Sequence, residues 1–419
     1  MAALTIADFQ PALKVIHEKL SVCLYRDNAA HALIPKVSGF GGRFTSVPLQ
    51  YSNAPDGSAD DTIAFGDVSG NEKYTEFQIT AGEDYARYLV SGLVIAMSEG
   101  DKNAVISALK ARSQATINTM ARSIGNMSQG TGTGVRARMA NTTTATTTVA
   151  LADPDSIVHF EVGQRIQFVS ADALVATTVR GTFPSDYLTI VTVNRSNGTF
   201  VVNATLTTMS GITTTDHIVR RGDLPYNQTT QISTGVARLP TGVGGWCPFA
   251  APSSTSFFNV DRTTDLTRLG GNRYAGGGAS KVDTLMRSAA LLQREGSMAD
   301  VCITSVGDFA DLQVEREAKV MITGGDGGKN KVSFSAIEAA TGYGKSIRVV
   351  ADRNWKRGKF HILQLDTWKF RSSGEYARML DVDGNNILRM AGANAYEGRM
   401  GGYGQYTCDA PGWNLAGTW

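Results

Sequence analysis

A possible phosphate-binding motif lies in residues 339–346 (A-A-T-G-Y-G-K-S), because Gly344, Lys345 and Ser346 match the end of a P-loop. In a P-loop, backbone N–H groups and the lysine hold phosphates at the start of a helix. The full pattern requires a glycine where Ala339 stands, and the I-R-V-V that follows Ser346 has the composition of a strand. We therefore predict no nucleotide site here, although an enzyme that acts on nucleotide phosphates through Lys345 and Ser346 remains an alternative.

The neighbouring glycine-rich segment, residues 324–331 (G-G-D-G-G-K-N-K), fails the same test. Asn330 occupies the position where a hydroxyl should coordinate magnesium. This composition is typical of a mobile loop.

Asp381, Asp383 and Asn385 in L-D-V-D-G-N-N resemble the start of a calcium-binding loop. Such a loop needs a bidentate carboxylate at its twelfth position, which here is Gly392. Because the site would lack its strongest ligand, we interpret the D-G pair as a hairpin turn.

The spacing of the histidines and cysteines predicts no metal site or nucleophile. The sequence contains no H-E-x-x-H, C-x-x-C or G-x-S-x-G motif. We expect isolated structural histidines and reduced, mostly buried thiols at His17, His31, His159, His217, His361, Cys23, Cys247, Cys302 and Cys408. The sequence therefore predicts no catalytic, cofactor-binding or metal-binding residue, and no enzymatic activity.

Positive and negative charges nearly cancel in this chain. Its 419 residues include 40 Lys and Arg against 38 Asp and Glu, a net charge of +2, which is too small to hold a nucleic-acid backbone strongly. Any contact with DNA should therefore be weak and independent of sequence. The N-terminus lacks the pattern of a signal peptide and no run of eighteen apolar residues occurs, so we expect neither export by that route nor a membrane span.

The first eighty residues predict a helix followed by a long hairpin. A capping box at Thr5 and Asp8 begins an amphipathic pattern that continues to about Asp27. Residues 35–79 then form two extended arms around a Gly/Asp/Ser tip, with too few apolar residues for a core of their own. Because an isolated hairpin is barely stable in water, we expect an arm that projects and lies on a neighbouring molecule.

A second capping box at Ser98 and Asp101 begins a long amphipathic pattern that continues until Gly125. It predicts a helix over residues 98–124. The polar face is either solvated or directed toward an anionic interior, and it carries Lys102, Lys110, Arg112 and Arg122.

Composition changes sharply after the glycine-rich residues 130–134. Residues 142–148 are nearly all threonine, and short β-branched runs separated by turn residues follow. We predict a separate all-β module over residues 141–230, inserted into a larger α+β domain because helical patterns resume after it.

Helices and strands alternate in the C-terminal part. Ser280 begins a helix that ends at Gly296, Ser305 begins another that runs through Lys319, and strands are predicted at residues 299–304, 346–350 and 360–365. Residues 395–414 alternate aromatics with glycines and close on Pro411. This last pattern predicts paired strands and a surface that fits copies of the same chain.

The predicted elements follow one another as an N-terminal helix, a long hairpin, one long helix, an α+β core with an inserted β module, and the terminal Y-E-G-R…Y-G-Q-Y-T-C-D-A-P-G-W-N. In this order of elements the chain resembles the major capsid proteins of tailed double-stranded DNA bacteriophages, which have the Hong Kong 97-like fold. The resemblance covers the whole chain except the inserted module. It implies a virion structural subunit that self-assembles in the host cytoplasm, as pentamers and hexamers, into an icosahedral shell enclosing double-stranded DNA. Portal and scaffolding proteins are implied partners, and a decoration protein is a further candidate.

The resemblance also divides the chain into domains. Residues 1–34 would form an N-terminal arm, 35–80 an extended loop lying on an adjacent subunit, 81–140 the peripheral domain with helix 98–124 as its spine, and 141–230 the inserted β domain. Residues 231–283 would return to the peripheral domain, 284–380 would form mostly the axial domain with 323–331 at its tip, and 381–419 would return to the core and peripheral domain.

The chain also departs from its relatives. Many begin with a charged scaffolding segment, whereas a capped helix begins here at Thr5, so we expect a separate scaffolding protein or an already trimmed chain. Some join subunits by a lysine–asparagine isopeptide bond; Lys73 could be positioned for it, but no partner can be identified and we do not predict the bond. An encapsulin-like compartment shell is the alternative function, and the β-rich insertion alone would suit a receptor-binding protein.

Overall fold

The chain has an α+β fold with several sheets. The computed structural model describes residues 28–53, 59–60, 62, 72–92, 102–254, 256–319, 338–339, 346–381, 387–390 and 392–419. The predicted helix that ends near Asp27 lies outside these residues. The chain divides into unit 1, which comprises Met1–Phe40, Ala81–Thr241 and Arg371–Gln405, and unit 2, which comprises Gly41–Thr80, Gly242–Phe370 and Tyr406–Trp419.

The described helices are α1 (Ala29–Leu33), α2 (Lys102–Gln129), α3 (Val243–Trp246), α4 (Lys281–Arg294) and α5 (Val306–Lys319). The described strands are β1 (Lys36–Ser38), β2 (Thr45–Ser52), β3 (Lys73–Ile79), β4 (Gly82–Ser91), β5 (Val135–Arg138), β6 (Thr148–Ala150), β7 (Arg165–Val169), β8 (Leu188–Asn194), β9 (Thr199–Val202), β10 (His217–Arg220), β11 (Asn272–Ala275), β12 (Val301–Thr304), β13 (Glu338–Ala339), β14 (Ile347–Ala351), β15 (Lys359–Leu363), β16 (Trp368–Ser372), β17 (Arg378–Met379), β18 (Ile387–Arg389), β19 (Ala395–Cys408) and β20 (Leu415–Thr418).

Unit 1 is organised around the long antiparallel pair of β4 and β19. Their register runs from Ser91 opposite Ala395 to Gly82 opposite Gly404. β17 and β18 also pair with β19. Side chains alternate between the two faces, as in any strand, and α2 packs against β4.

The glycines of β19 make room for aromatic rings of the same unit. A methyl group at Gly398 would overlap the Tyr88 ring, and one at Gly402 would lie 2.8 Å from Cε2 of Tyr376. At these two positions the alternation of glycines and aromatics packs the chain against itself, and a surface for other copies stays a prediction. The predicted pair of terminal strands is also a single strand, β19, whose partners come from elsewhere in the sequence.

Helix α2 continues beyond its predicted end at Ile124, through Gly125 to Gln129. Residues 123–129 are all buried, so tertiary packing outweighs the low helix propensity of Gly125. The Ser98 and Asp101 cap and the side chains of Lys102, Lys110 and Arg112 lie outside the described part. Arg122 forms an ion pair with Glu161 at 2.8 Å, an outcome that neither reading of the basic face included.

Six strands of unit 1 close into an antiparallel barrel. The sheet order is β5, β10, β7, β8, β9, β6, and the bridge between Met139 and Leu151 joins β6 back to the extension of β5. The hydrogen bonds Ala140 N–H to Ala150 O (2.9 Å) and Ala152 N–H to Arg138 O (2.9 Å) complete this closure. The interior is apolar and includes Phe160, Phe168 and Phe200.

The barrel begins at β5, before the predicted module boundary at residue 141. The sequence V-R-A-R does not predict this strand, because two arginines interrupt its apolar pattern. One of them, Arg136, is nevertheless buried. The predicted strands that become β7, β8 and β9 are present.

Unit 2 contains a mixed sheet in the order β11, β20, β15, β12, β14, β13. The pairs β12–β14 and β11–β20 are parallel, and the other described pairs are antiparallel. Helices α4 and α5 pack against each other and against strands of this sheet, around Leu285, Leu292 and Phe360.

Helices α4 and α5 begin and end as the sequence predicts. The hydroxyl of Ser280 accepts a hydrogen bond from the Asp283 backbone N–H at 3.2 Å, and Ser305 does the same for Asp308 at 3.1 Å. Gly296 follows α4 with a φ of +81°, the left-handed conformation that favours glycine at this position. The strands predicted between and after these helices are β12, β14 and β15.

His361 lies on β15 in the apolar interior of unit 2. Its Nε2 donates to the Cys247 carbonyl at 3.2 Å, and the Trp355 and Phe249 rings lie 5.3 and 4.7 Å from the imidazole. Burial lowers the pKa of His361 to about 3. The imidazole is therefore neutral in the folded chain throughout the range in which an unfolded histidine becomes protonated.

We expect unit 2 to lose stability as the pH falls below about 6.5, because the unfolded chain takes up a proton at His361 that the folded chain excludes until about pH 3. The loss should approach about 1.4 kcal/mol per pH unit from this group. In His361→Gln, which keeps a donor for Cys247, urea unfolding at pH 7 and pH 5 should differ less than in the native chain. All five tryptophans lie in unit 2, so their fluorescence reports on this unit. Equal pH dependence in the two proteins would contradict the assignment.

Gly398→Ala should destabilise unit 1 by about 1–3 kcal/mol, because the added methyl group displaces the Tyr88 ring. Thermal unfolding followed by circular dichroism measures this loss. Gly392→Ala is the matched control, since a methyl group there meets no atom within 4 Å. A Gly398→Ala chain as stable as that control would show that the ring does not need the glycine.

Candidate functional site

The P-loop-like motif leads into a strand. Ser346 lies directly before β14, so no helix N-terminus follows it to hold a phosphate. Gly344, Lys345 and residues 324–331 lie outside the described part of the chain.

The described residues include no group of three or more His, Cys, Asp or Glu side chains placed to hold a metal ion. Of the calcium-like motif, Asp381 and Gly392 are described, whereas Asp383 and Asn385 are not. His31, His159 and His361 are buried and His217 is half-buried. The thiols of Cys247, Cys302 and Cys408 are buried and free, and His17 and Cys23 lie outside the described residues.

The feature with the clearest capacity for interaction is the hairpin arm, formed by β2 and β3. The two strands pair from Thr45 opposite Ile79 to Ser52 opposite Lys73, with a register shift between Gln50 and Ser52. Pro48 lies in β2, which has β3 as its only strand partner in the described sheets. Proline is tolerated on such an edge and discourages further strand pairing.

Aromatic packing holds one end of the arm in unit 2, the end at which Thr45 lies opposite Ile79. We call it the near end. The Phe77 ring is fully buried, 5.1 Å from the Trp246 ring and 6.4 Å from the Phe257 ring. Phe258 stacks on Trp246 at 5.6 Å, and its carbonyl accepts the Gln78 N–H at 3.0 Å. We call Phe77, Trp246, Phe257 and Phe258 the arm anchor.

A buried arginine completes the arm anchor. The Arg262 guanidinium lies 3.9 Å from the centre of the Phe257 ring and donates to the carbonyls of Gly245 (2.9 Å) and Trp246 (3.2 Å). Burial lowers the pKa of Arg262 to about 10, so the side chain remains charged at neutral pH. Its cation–π contact and two carbonyl partners orient the segment against which the arm packs.

The described half of the arm therefore has a core within its own chain, which corrects the expectation that the whole arm must lie on a neighbour. Val47, Phe77 and Ile79 are buried, because residues of one strand face point into unit 2. Tyr74, farther along β3, is 66% exposed. Lys73 begins β3 and is also exposed, and most of residues 53–72 lie outside the described part.

A cleft of about 640 Å³ lies beside the arm in unit 2, lined by β2 residues including Tyr51 and by the segment that carries Trp413. Arg268 reaches across and donates to the Tyr51 carbonyl at 2.6 Å. Trp413 is 42% exposed. An exposed tryptophan in a concave surface is typical of a protein contact rather than of catalysis.

A network formed by the half-buried Arg220 and three buried residues, Arg136, Asp84 and Asp223, lies in unit 1. Arg220 donates to Asp84 at 2.6 Å and to Asp223 at 2.7 Å, and Arg136 lies 3.4 Å from Asp223. Burial alone would lower the pKa of Arg220, but the carboxylates of Asp223 and Asp84 raise it; burial lowers the pKa of Arg136. The network ties the barrel strands β5 and β10 to β4.

Sequence patterns could not find the network or the arm anchor. Asp84 and Arg220 pair although most of the barrel sequence lies between them. Phe77 and Trp246 are in contact although a similar length of sequence separates them. The only local signal was the F-F pair at Phe257 and Phe258, which carries no information on its partner.

Comparison with known proteins yields structural matches only. No protein-family model matches the sequence, and no curated protein matches it. The structure matches a chain of the cyanophage A-1(L) capsid asymmetric unit with a TM-score of 0.50 and 9% identity, over 90% of this chain and 87% of that chain. Chains of an empty GTA particle capsid (TM-score 0.45, 10% identity, 93% of this chain and 95% of that one) and of the satellite phage P4 procapsid (0.40, 9%, 96% and 98%) also match.

The match to the cyanophage chain shows that this chain has the fold of a phage capsid protein. It confirms the resemblance at the level of fold, and with it the α+β class. No helix among the described residues is long and apolar enough to span a membrane.

The two faces of β3 should respond differently to truncation. Phe77→Ala removes a buried ring and should cost about 3–5 kcal/mol of the free energy of unfolding of unit 2. Tyr74→Ala, on the same strand but exposed, should change it by no more than about 0.5 kcal/mol. Urea unfolding followed by tryptophan fluorescence compares them, and similar losses would show that the arm is not anchored through Phe77.

Proposed function

We propose that this chain is the structural subunit of an icosahedral phage capsid, which self-assembles into pentamers and hexamers around double-stranded DNA. The observation that carries the proposal is the phage capsid fold, shared with the cyanophage chain over 90% of this chain. The function is mechanical: the subunit binds its own copies and encloses the genome without acting on a substrate.

The hairpin arm supports the assembly role. Its near end is held by the arm anchor, whereas Tyr74 is exposed on a ribbon of only two strands. A contact with an adjacent subunit would bury this ring and stabilise a ribbon that is marginal on its own. Repeated around a closed ring, such a contact joins different surfaces of successive subunits.

We infer a Hong Kong 97-like arrangement of domains. Helix α2 would be the spine of the peripheral domain, the segment 35–80 the extended loop, and residues 284–380, with β12, β14 and β15, most of the axial domain. Residues 1–34 would form the N-terminal arm, and 231–283 and 381–419 the returns to the peripheral domain and core.

The barrel would be the inserted domain, predicted from sequence at residues 141–230. Its closed sheet and dense apolar interior suit a module that stands outside the shell wall and braces contacts between capsomers. The ion pair between Arg122 and Glu161 and the arginine–aspartate network would keep it fixed on the peripheral domain.

The subunit would reside in the virion after assembly in the host cytoplasm. Portal and scaffolding proteins would be its assembly partners, a decoration protein a further one, and packaged DNA a weak and sequence-independent contact. We propose no enzymatic role; the P-loop-like motif leads into β14 instead of a helix, which disfavours the alternative of an enzyme acting on nucleotide phosphates through Lys345 and Ser346.

Purified full-length chain should form closed shells visible by negative-stain electron microscopy. Tyr74→Asp should reduce the shell yield at equal protein concentration by about tenfold or more, because a charge replaces the ring at the proposed contact. Tyr74→Phe, which keeps the ring, should assemble like the native chain.

A control for folding is needed to interpret the shell yields. Tryptophan fluorescence must show that both variants unfold like the native chain, so that lost assembly is not lost folding. Native chain that stays monomeric at high concentration with folding intact would refute the proposal, and particles isolated from cells with packaged enzyme instead of DNA would favour an encapsulin-like shell.

A further inference from the structure

One face of the β4–β19 pair in unit 1 carries exposed aromatic rings and arginines. On β4, Tyr85 and Arg87 are exposed, whereas Asp84, Tyr88 and Val90 at the alternate positions are buried. Because successive side chains of a strand point to opposite faces, Tyr85 and Arg87 lie together on the outward face.

The register adds side chains from β17 and β19 to this outward face. Arg399 lies opposite Arg87, and Gly401 lies between Tyr85 of β4 and its own partner on β17. Directly opposed residues of an antiparallel pair share a face of the sheet. We call the resulting group the tyrosine patch, which consists of Tyr85, Arg87, Arg378, Arg399 and Tyr403.

The two rings of the tyrosine patch are held in place. Tyr85 and Tyr403 meet edge to face with their ring centres 5.9 Å apart, and their hydroxyls are 3.2 Å apart. The Tyr85 hydroxyl donates to the Glu83 carboxylate at 3.0 Å. A methyl group at Gly401 would lie 3.1 Å from Cδ1 of Tyr85, so the glycine leaves room for this ring. An ordered aromatic surface lowers the entropic cost of binding.

One carboxylate serves two of the three arginines of the patch. Glu397, whose side chain is only 8% exposed, accepts a hydrogen bond from Arg399 at 2.8 Å and lies 3.9 Å from Arg87. The Arg378 guanidinium lies 5.9 Å from the centre of the Tyr403 ring and forms no ion pair with any residue that the structure describes. The patch therefore suits a partner that brings an aromatic ring and one carboxylate.

The outward face of the hairpin arm has this complementary composition. Tyr74 and Glu76 lie two residues apart on β3, so they share a face, and both are exposed. Within the described part of the chain, Glu76 forms no ion pair. Pro48 and Gln50, opposite them on β2, are also exposed, and a proline disfavours docking by strand pairing. The arm is therefore suited to dock through its side chains.

The composition of the patch favours a protein partner over a phosphate backbone. Tyrosine and arginine are the residues that are enriched at the centres of protein interfaces. The carboxylates of Glu83 and Glu397 lie beside the arginines and would repel a polyanion. A single carboxylate next to a ring meets Arg378 without that penalty.

We propose that the tyrosine patch of one subunit binds the arm of a second copy of this chain, with Tyr74 against the two tyrosine rings and Glu76 paired with Arg378. The inference rests on the proposed function, in which the arm contacts an adjacent subunit, and it identifies the surface that receives the arm. The contact joins two different surfaces, so it repeats from subunit to subunit around a ring.

The test reverses the proposed charge pair in the full-length chain. Glu76→Arg alone and Arg378→Glu alone place like charges opposite each other and should each reduce self-association by about tenfold or more. The double variant restores opposite charges and should associate within about threefold of the native chain. Sedimentation velocity measures oligomers, and negative-stain electron microscopy counts shells in the same samples.

Arg389 provides the matched control. It is exposed on β18 but lies opposite Tyr396, on the alternate face of the sheet. Arg389→Glu combined with Glu76→Arg should not restore association, although its formal charge equals that of the double variant above. Circular dichroism and tryptophan fluorescence during urea unfolding check that every variant folds. If Arg378→Glu does not fold, Arg87→Glu takes its place, since this arginine belongs to the same patch.

The two readouts let this contact and the proposed function fail separately. If the native chain forms shells but the double variant associates no better than the single variants, the contact is wrong and the capsid role stands. A single variant that associates normally, or equal restoration by Arg389→Glu, also overturns the contact. So does an Arg378→Glu chain that associates normally and loses affinity for a DNA duplex, because the patch then meets DNA. If charge reversal and restoration occur in oligomers that never close into shells, the contact stands and the proposed function fails. A native chain that stays monomeric refutes both.

Discussion

The burial of Phe77 against Trp246 determines what the hairpin arm can do. A two-stranded ribbon gains little stability in water, so its order must come from a contact at one end or along one face. Here that contact is at the near end, where the arm anchor and the buried Arg262 surround the ring. Because side chains alternate along β3, the strand that buries Phe77 and Ile79 also presents Tyr74 outward. One strand therefore contributes a buried face to the fold of its own unit and leaves Tyr74 exposed on the other face.

Local signals made part of this structure predictable. The helices α4 and α5 begin at Ser280 and Ser305 because a cap is formed by residues three apart, which a sequence displays directly. Features decided by distant packing were missed. Gly125 does not end α2, because the surrounding residues are buried, and the glycines of β19 accommodate Tyr88 and Tyr376 through a register that sequence does not reveal. The candidate site was predictable as a hairpin but not in its attachment, since Trp246 lies far from Phe77 along the chain.

The near-neutral net charge conceals two different uses of arginine. In unit 1, the buried Arg136 and the half-buried Arg220 pair with Asp84 and Asp223, where opposite charges compensate one another and hold strands together. In unit 2, the buried Arg262 guanidinium lies on the Phe257 ring and donates to the carbonyls of Gly245 and Trp246. Total charge predicts neither arrangement. The partners available within hydrogen-bonding distance decide whether a buried arginine is compensated by carboxylates or by carbonyls and a ring.

The chain enters and leaves the barrel through adjacent strands. Val135 of β5 lies opposite Val219 of β10, so the two ends of the module stand about 5 Å apart at their Cα atoms. The whole barrel is thus attached to the rest of unit 1 as a hairpin turn would be, through two neighbouring strands. A connection of this kind lets a module be gained, lost or exchanged during evolution without rerouting the rest of the chain, and it makes the same junction a natural point for inserting a foreign domain.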